Sequence, residues 1–448
     1  MEIKKSFLEN MESDFKSNRA NRVAQRAAMN NGIVEASVNR FEGDSNRHEF
    51  NVNLKDTEIR NQKRSGRCWM FAALNVMEYK LCNKYNLKNF ELSQNYTLFY
   101  DKLERCNYFL ESIYKTMEED LDSRLVSHIL TDPMGDGGQW DMLKNIIKKY
   151  GVVPKYSMPE TQNSSDTTSL NTYLTKLLRM YAKNLRKANE DNATSEKIEE
   201  MINSYMKEIY NVLSIALGTP PKYIDFEARD KDDNFISYKN LSTTEFYNKF
   251  IEMDLDDYIS IINAPTNDKP YYKSYTVQFL GNVVEGDAVK YVNVPIGDMK
   301  KSILRQLQDD EPVWFGCDVG QFFNKKGSRL DLETVRVDDL LGVEFDFNKE
   351  DRLDYKESLM THAMVFMGCN YDEENDKIDR YRVENSWGKE SGYNGFLVMS
   401  DEWFDEYMYQ ALINKKFLSD KIIKAYEEKP IELKPWDPMG ALAKISDL

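Results

Sequence analysis

The sequence predicts an α+β fold in which a helical half and a strand-rich half meet at one site. Three observations predict it: a helix-length segment from Cys68 that is apolar nearly all round, long helical patterns across 161–263, and short strands in the last third. A chain of 448 residues allows two or three packed units around one site.

Taken in order, residues 1–60 are polar with helical stretches and are assigned to an N-terminal arm. After Ser65-Gly66 the run Cys68-Trp69-Met70-Phe71-Ala72-Ala73-Leu74 continues to Tyr79 with apolar residues on every face, so a buried helix opens at the cysteine. Leu170, Leu174, Leu177, Tyr181 and Leu185 recur at helical spacing, as do Ile198, Ile202, Tyr205, Ile209, Val212 and Ala216 before Gly218 and Pro220-Pro221. These define a helical subdomain inserted at 161–264. Tyr275/Val277/Phe279 and Val289/Tyr291 alternate around Glu285-Gly286-Asp287, the pattern of a β-hairpin hook within 265–298. Strands at 363–369, 381–384 and 395–399 fall in the strand-rich half, 299–433, and place His362 and Asn385 at strand ends. Residues 61–160 form the helical half, and 434–448 a C-terminal arm.

Hydrophobic content of 41% with 30% charged residues is ordinary for a globular protein, and no apolar run reaches membrane-span length. No membrane partner is expected. The opening Met1-Glu2-Ile3-Lys4-Lys5 leads into no apolar signal segment. The five cysteines have no metal-type spacing, which fits free thiols in a reducing cytoplasm. A formal charge of −15 opposes nucleic-acid binding, and Lys63, Arg64 and Arg67, the one basic cluster near a motif, are assigned to a solvated loop.

Cys68, His362 and Asn385 supply a thiol, an imidazole and an amide, with the Gln62 amide six residues before the thiol. A thiolate attacks carbonyls, and a helix N-terminus with an imidazolium partner lowers a thiol's pKa. In the expected reaction Cys68 attacks the scissile carbonyl and His362 protonates the leaving amine. His362 then acts as base on the water that hydrolyses the thioester. Asn385 orients the imidazole, and Gln62 with the Cys68 backbone N–H holds the oxyanion. No metal or organic cofactor is expected.

Gln62 with Gly66-Arg67-Cys68-Trp69, and Asn385-Ser386-Trp387-Gly388, resemble the papain superfamily. Gly135-Asp136-Gly137-Gly138-Gln139-Trp140, Trp314-Phe315-Gly316-Cys317-Asp318, Met360-Thr361-His362-Ala363 and Trp436-Asp437-Pro438-Met439-Gly440 are similar to the bleomycin hydrolase and bacterial aminopeptidase C family. The gap from Cys68 to His362 is about twice the roughly 130–150 residues of secreted papains. The excess matches the helical and hairpin insertions in a papain-like core.

The resemblance implies that Gly137 and Gly138 bind substrate backbone and that Trp387 shields the His362–Asn385 contact. It implies a homohexamer acting on peptides. It also implies that the C-terminal arm lies in the cleft and that Ala443 presents a terminal carboxylate to a substrate's amine, making a broad-specificity aminopeptidase. This chain continues beyond Ala443 as Lys444-Ile445-Ser446-Asp447-Leu448. Self-cleavage after Ala443 is therefore expected. Of two other classes, a binding scaffold, including one for nucleic acid, is opposed by the full four-residue set and the acidic balance, and a redox sensor at Cys68 has no resolving cysteine nearby in sequence.

Overall fold

The computed structural model describes residues 2–39 and 47–444. The helix opened by the cysteine, Cys68–Lys84, buries every residue from 68 to 79. It can do so because it is covered on both sides. The helices Gln94–Lys115 and Trp140–Tyr150 lie against one flank, and the strands Val313–Cys317 and His362–Asp372 against another.

One 12-stranded sheet forms the other half. At its centre, Met408–Asn414, Val313–Cys317, His362–Asp372, Lys377–Glu384 and Phe396–Ser400 are neighbours in that order, each pair antiparallel. His362 stands opposite Cys317, and Val365 opposite Glu384. His362 thus opens one strand and Asn385 follows the end of its neighbour, so the antiparallel register brings both to the same edge of the sheet.

The helices Thr168–Glu190 and Ser195–Leu217 pack on Gln94–Lys115 and stack Tyr181 on Tyr205 with ring centroids 3.9 Å apart. The buried stripe of the first runs through Leu174, Leu178 and Tyr181, with Leu178 taking the inward position expected for Leu177. Gly218 ends the second at φ 88°, a left-handed conformation that glycine adopts without strain. Residues 223–242, expected to be helical, instead form an antiparallel ribbon of Tyr223–Arg229 and Phe235–Ser242. Its alternation is two-fold: Ile224 and Phe226 point inward, and Phe226 packs on Phe90, Phe246 and Phe250.

The segment expected as a hairpin pairs Ser274–Val277 with Lys290–Asn293, Tyr275 facing Tyr291. This pair is built into the large sheet. Tyr258–Ile262 and Ile431–Leu433 flank it as parallel partners. In the N-terminal arm, Lys5–Ser17 and Arg19–Asn31 bury no residue and leave Phe7, Leu8, Met11, Phe15, Val23 and Met29 exposed. Among the described residues no helix is long and apolar enough to cross a membrane.

Candidate active site

Cys68 is the first residue of its helix, and the loop before it is fixed from both sides. Arg67, expected in a solvated cluster, is buried. Its guanidinium donates to both carboxylate oxygens of Glu160 at 3.1 and 2.9 Å and to Ser65 Oγ at 2.8 Å. The planar fork of arginine matches that carboxylate, which is why a charged residue tolerates burial beside the thiol. On the other side, Gly66 N–H donates to Asp136 Oδ2 at 2.9 Å.

His362 Nε2 lies 2.9 Å from Asn385 Oδ1, which also accepts the Ser386 N–H at 2.8 Å. An amide oxygen only accepts, so Nε2 carries the proton and the basic lone pair falls on Nδ1. The Trp387 ring covers the imidazole at 4.8 Å between centroids. Chain segment 60–62 pairs with this turn: Gln62 N–H donates to Ser386 O at 2.8 Å, and Gly388 N–H to Arg60 O at 3.0 Å. The Gln62 side chain accepts from Ser386 Oγ at 2.5 Å and donates to Ser65 O at 2.7 Å. Gln62, Cys68, His362 and Asn385 are all buried, and hydrogen bonds tie the 62 segment to the Ser386 turn and His362 to Asn385 across 324 and 23 positions.

Burial pushes the Cys68 thiol up to about 12, against the pull of the backbone N–H groups of Ala363, Trp69 and Cys68 itself. Burial thus favours the neutral thiol, opposite to the lowering expected from the helix N-terminus and an imidazolium partner. Those N–H groups put the sulfur beside the first residues of the His362 strand.

The chain's own C-terminal arm runs along the neighbouring backbone. Ala443 pairs antiparallel with Gly138, whose N–H donates to Ala443 O at 3.3 Å. Gln139 Nε2 donates to Ala441 O at 2.6 Å, and Lys444 N–H to Thr361 O at 2.9 Å. Both glycines are required by contact. A side chain on Gly138 would run into the Trp69 ring, and a Cβ on Gly137 would stand 2.7 Å from Leu442 Cβ and 2.8 Å from Lys444 Cβ. The arm is anchored upstream, where the Arg124 guanidinium lies 3.8 Å over the Trp436 ring and Tyr291 OH donates to Met439 O at 3.1 Å.

Asp136, unremarked within its motif, joins these parts. Besides Gly66 N–H it accepts from Lys102 Nζ at 2.7 Å, Asn171 Nδ2 at 2.7 Å and Thr167 Oγ1. Its carbonyl takes the Trp69 indole N–H at 2.7 Å. Against the cost of burial, the Lys102 ammonium and these donors hold its carboxyl well below the usual range. Glu384, next to Asn385, accepts from Thr57 Oγ1 at 2.8 Å and Asn75 Nδ2 at 2.7 Å, tying the sheet edge to the cysteine helix. Cys106, Cys317 and Cys369 are buried and Cys82 is half-buried, all unbridged. Of the two unassigned histidines, His48 stacks on Tyr393 and His128 meets the Trp436 edge.

A thiol at a helix start beside an amide-oriented imidazole, between a helical half and a sheet, is the arrangement of papain-like cysteine peptidases. The model of the Peptidase C1-like family matches residues 2–440, and the chain belongs to that family. It is 47% identical to the Aminopeptidase C of Listeria monocytogenes over 437 residues, 97% of this chain and 98% of that one. It is 40% identical to the bleomycin hydrolase of Gallus gallus over 392 residues, 86% of each. The crystal structure of PepW from Lactobacillus rhamnosis superposes with a TM-score of 0.96 at 45% identity, covering 99% of both chains.

Proposed function

We propose that the chain is a cysteine aminopeptidase that removes N-terminal residues from peptides with broad specificity, its C-terminal arm restricting the cleft to free N-termini. The observation that supports this best is the arm's backbone pairing: it lies along Gly138, Gln139 and Thr361 as an extended peptide would. A substrate is left only the other side of the cleft. Its first residue then takes the place of Lys444, its amine facing Thr361 O and the carboxylate of an arm ending at Ala443.

In the reaction, His362 Nδ1 takes the Cys68 proton and the thiolate attacks the carbonyl carbon of the first residue. The Gln62 side-chain amide and the Cys68 backbone N–H stabilise the oxyanion. Collapse expels the amine, which leaves with the proton from His362, and a thioester remains. Water, deprotonated by His362, then releases the amino acid and restores the thiol. Asn385 keeps the proton on Nε2 throughout, and Trp387 keeps water from that bond.

The register bears on the tail. With Ala443 on Gly138 and Lys444 on Thr361, the bond following the first-residue position is the one after Lys444, one residue beyond the cut expected after Ala443. Residues 445–448 lie outside those described. Cleavage after Lys444 alone leaves the first-residue position filled, so Lys444 must also leave. Intact mass of purified wild type distinguishes loss of Ile-Ser-Asp-Leu from loss of Lys-Ile-Ser-Asp-Leu. Full-length mass together with full aminopeptidase activity defeats self-processing.

The exposed apolar residues of the N-terminal helices favour self-association, and we retain the homohexamer; a monomer by light scattering removes it. Five unbridged thiols suit a reducing cytoplasm, which cell fractionation tests. The function itself is tested on aminoacyl and N-blocked peptide substrates. We expect turnover of the first only, abolished in Cys68→Ala. Equal turnover in that variant removes the nucleophile, and cleavage of blocked peptides removes the restriction.

A further inference from the structure

Lys444 carries information about selectivity in its side chain. Its ammonium lies 3.8 Å from Asp132 Oδ2, with both side chains more than half exposed. Asp132 follows the helix Arg124–Thr131, whose last carbonyls are capped by the Arg179 guanidinium, donating to Leu130 O at 3.1 Å and Thr131 O at 2.9 Å. Its carboxylate is tucked against the loop that pairs with the arm: a Cβ on Gly135 would stand 3.1 Å from Asp132 Oδ2. Gly135 therefore admits the carboxylate, as Gly137, two residues on, admits the Lys444 Cβ. Here the bare backbone of the loop serves both the main chain and the side chain of whatever lies there.

A groove of about 360 Å³ runs beside the arm, and among the described residues Asp132 is the one acidic residue lining it. Arg105, the basic residue of the groove other than Lys444, is engaged by both oxygens of Asp101 and by Gly137 O at 2.9 Å. Burial and the neighbouring Arg124 both lower the His128 pKa, which favours its neutral form. A cationic side chain entering where Lys444 lies thus meets the Asp132 carboxylate, to which the Arg179 guanidinium makes no ion pair of 4 Å or less, and an aliphatic one of equal length gains nothing from it.

We propose that Asp132 is a specificity-determining residue of the first-residue site, and that the enzyme favours peptides beginning with lysine or arginine over uncharged residues of similar length. This rests on the aminopeptidase reading, in which the substrate's first residue replaces Lys444. The pair is solvated, so the preference is modest: such contacts change a rate constant about two- to five-fold and weaken with salt.

The test compares kcat/KM for lysyl and norleucyl aminoacyl fluorogenic substrates, using enzyme purified from the full chain as wild type and as Asp132→Asn. We expect the lysyl-to-norleucyl ratio to fall about two- to five-fold in Asp132→Asn, to fall further in Asp132→Lys, and to decline in wild type as ionic strength rises. Norleucyl turnover by wild type with the same ratio in Asp132→Asn overturns the assignment alone. Turnover of neither substrate by wild type overturns the aminopeptidase reading and the assignment with it.

Discussion

Asp136 offers the sharpest test of how the site is held. Its carboxylate is buried, and Lys102, its cationic partner, is fully buried at the end of a 2.7 Å contact. Removing one partner of such a pair strands the other charge, at a cost of about 3–5 kcal/mol. In Asp136→Ala the Gly66 N–H also loses its acceptor, worth a further ~1–3 kcal/mol. Asp136→Asn keeps an acceptor for Gly66 but still strands the ammonium, so it separates charge from hydrogen bonding.

The assay is a double-mutant cycle by urea unfolding of Asp136→Asn, Lys102→Met and their combination, all in Cys68→Ala to prevent self-cleavage. The combined variant carries neither charge, and we expect it to recover at least ~2 kcal/mol relative to the sum of the single effects. The sign with pH follows. Asp136 has a folded value depressed below its free one, so its contribution is complete at neutral pH and is lost as pH falls through the free value toward the folded one. Single effects that add to within about 0.5 kcal/mol would refute the reasoning, because groups 2.7 Å apart in a dry interior cannot act independently.

Two other outcomes follow from contacts already described. Burial pushes the Lys349 ammonium down to about 7, against Glu406 and Asp405, while Nζ donates to Asp405 O at 2.9 Å and Met408 O at 2.6 Å. Between that pH and the free lysine value the unfolded chain binds more protons, so stability rises with pH across this window; pH-dependent urea unfolding should show the rise in wild type and its loss in Lys349→Met. Gly138→Ala should destabilise by about 1–3 kcal/mol through overpacking against Trp69 and reduce kcat/KM by spoiling the pairing strand. Wild-type stability and kinetics in that variant would mean that the Trp69 ring yields freely.

Much of the site was legible because its carriers announce themselves locally. Cys68 opens a segment apolar on every face, which only a doubly covered helix satisfies, and His362 and Asn385 bound short strand runs, the first continuously apolar and buried on both faces. The ribbon at 223–242 was missed because its apolar alternation is short and sits among long helical patterns. Arg67 was misassigned because nothing near it in sequence announces Glu160, its partner 93 positions away. Asp136 is the extreme case: Lys102, Gly66, Thr167 and Asn171 lie 31 to 70 positions from it, and no window contains the constellation.

The arm shows why such long-range groups matter for selectivity. Residues 135–138 meet the Cys68 loop through Asp136 and Gly66, and the arm through Gly137 and Gly138. Any displacement of this short loop moves the backbone that aligns a peptide and the loop that presents the thiol together. A misplacement near 1 Å costs on the order of 10²-fold in rate, so tethering both functions to one buried carboxylate keeps the cut in register with the pairing. The same tether makes the tail's fate a matter of register: an arm paired one residue further along would offer the bond after Ala443 instead of the bond after Lys444. Under the proposed self-processing, the mass of the purified chain reports whether residues 135–138 hold the arm in the pairing seen here while the thiol acts, or release it for a second step.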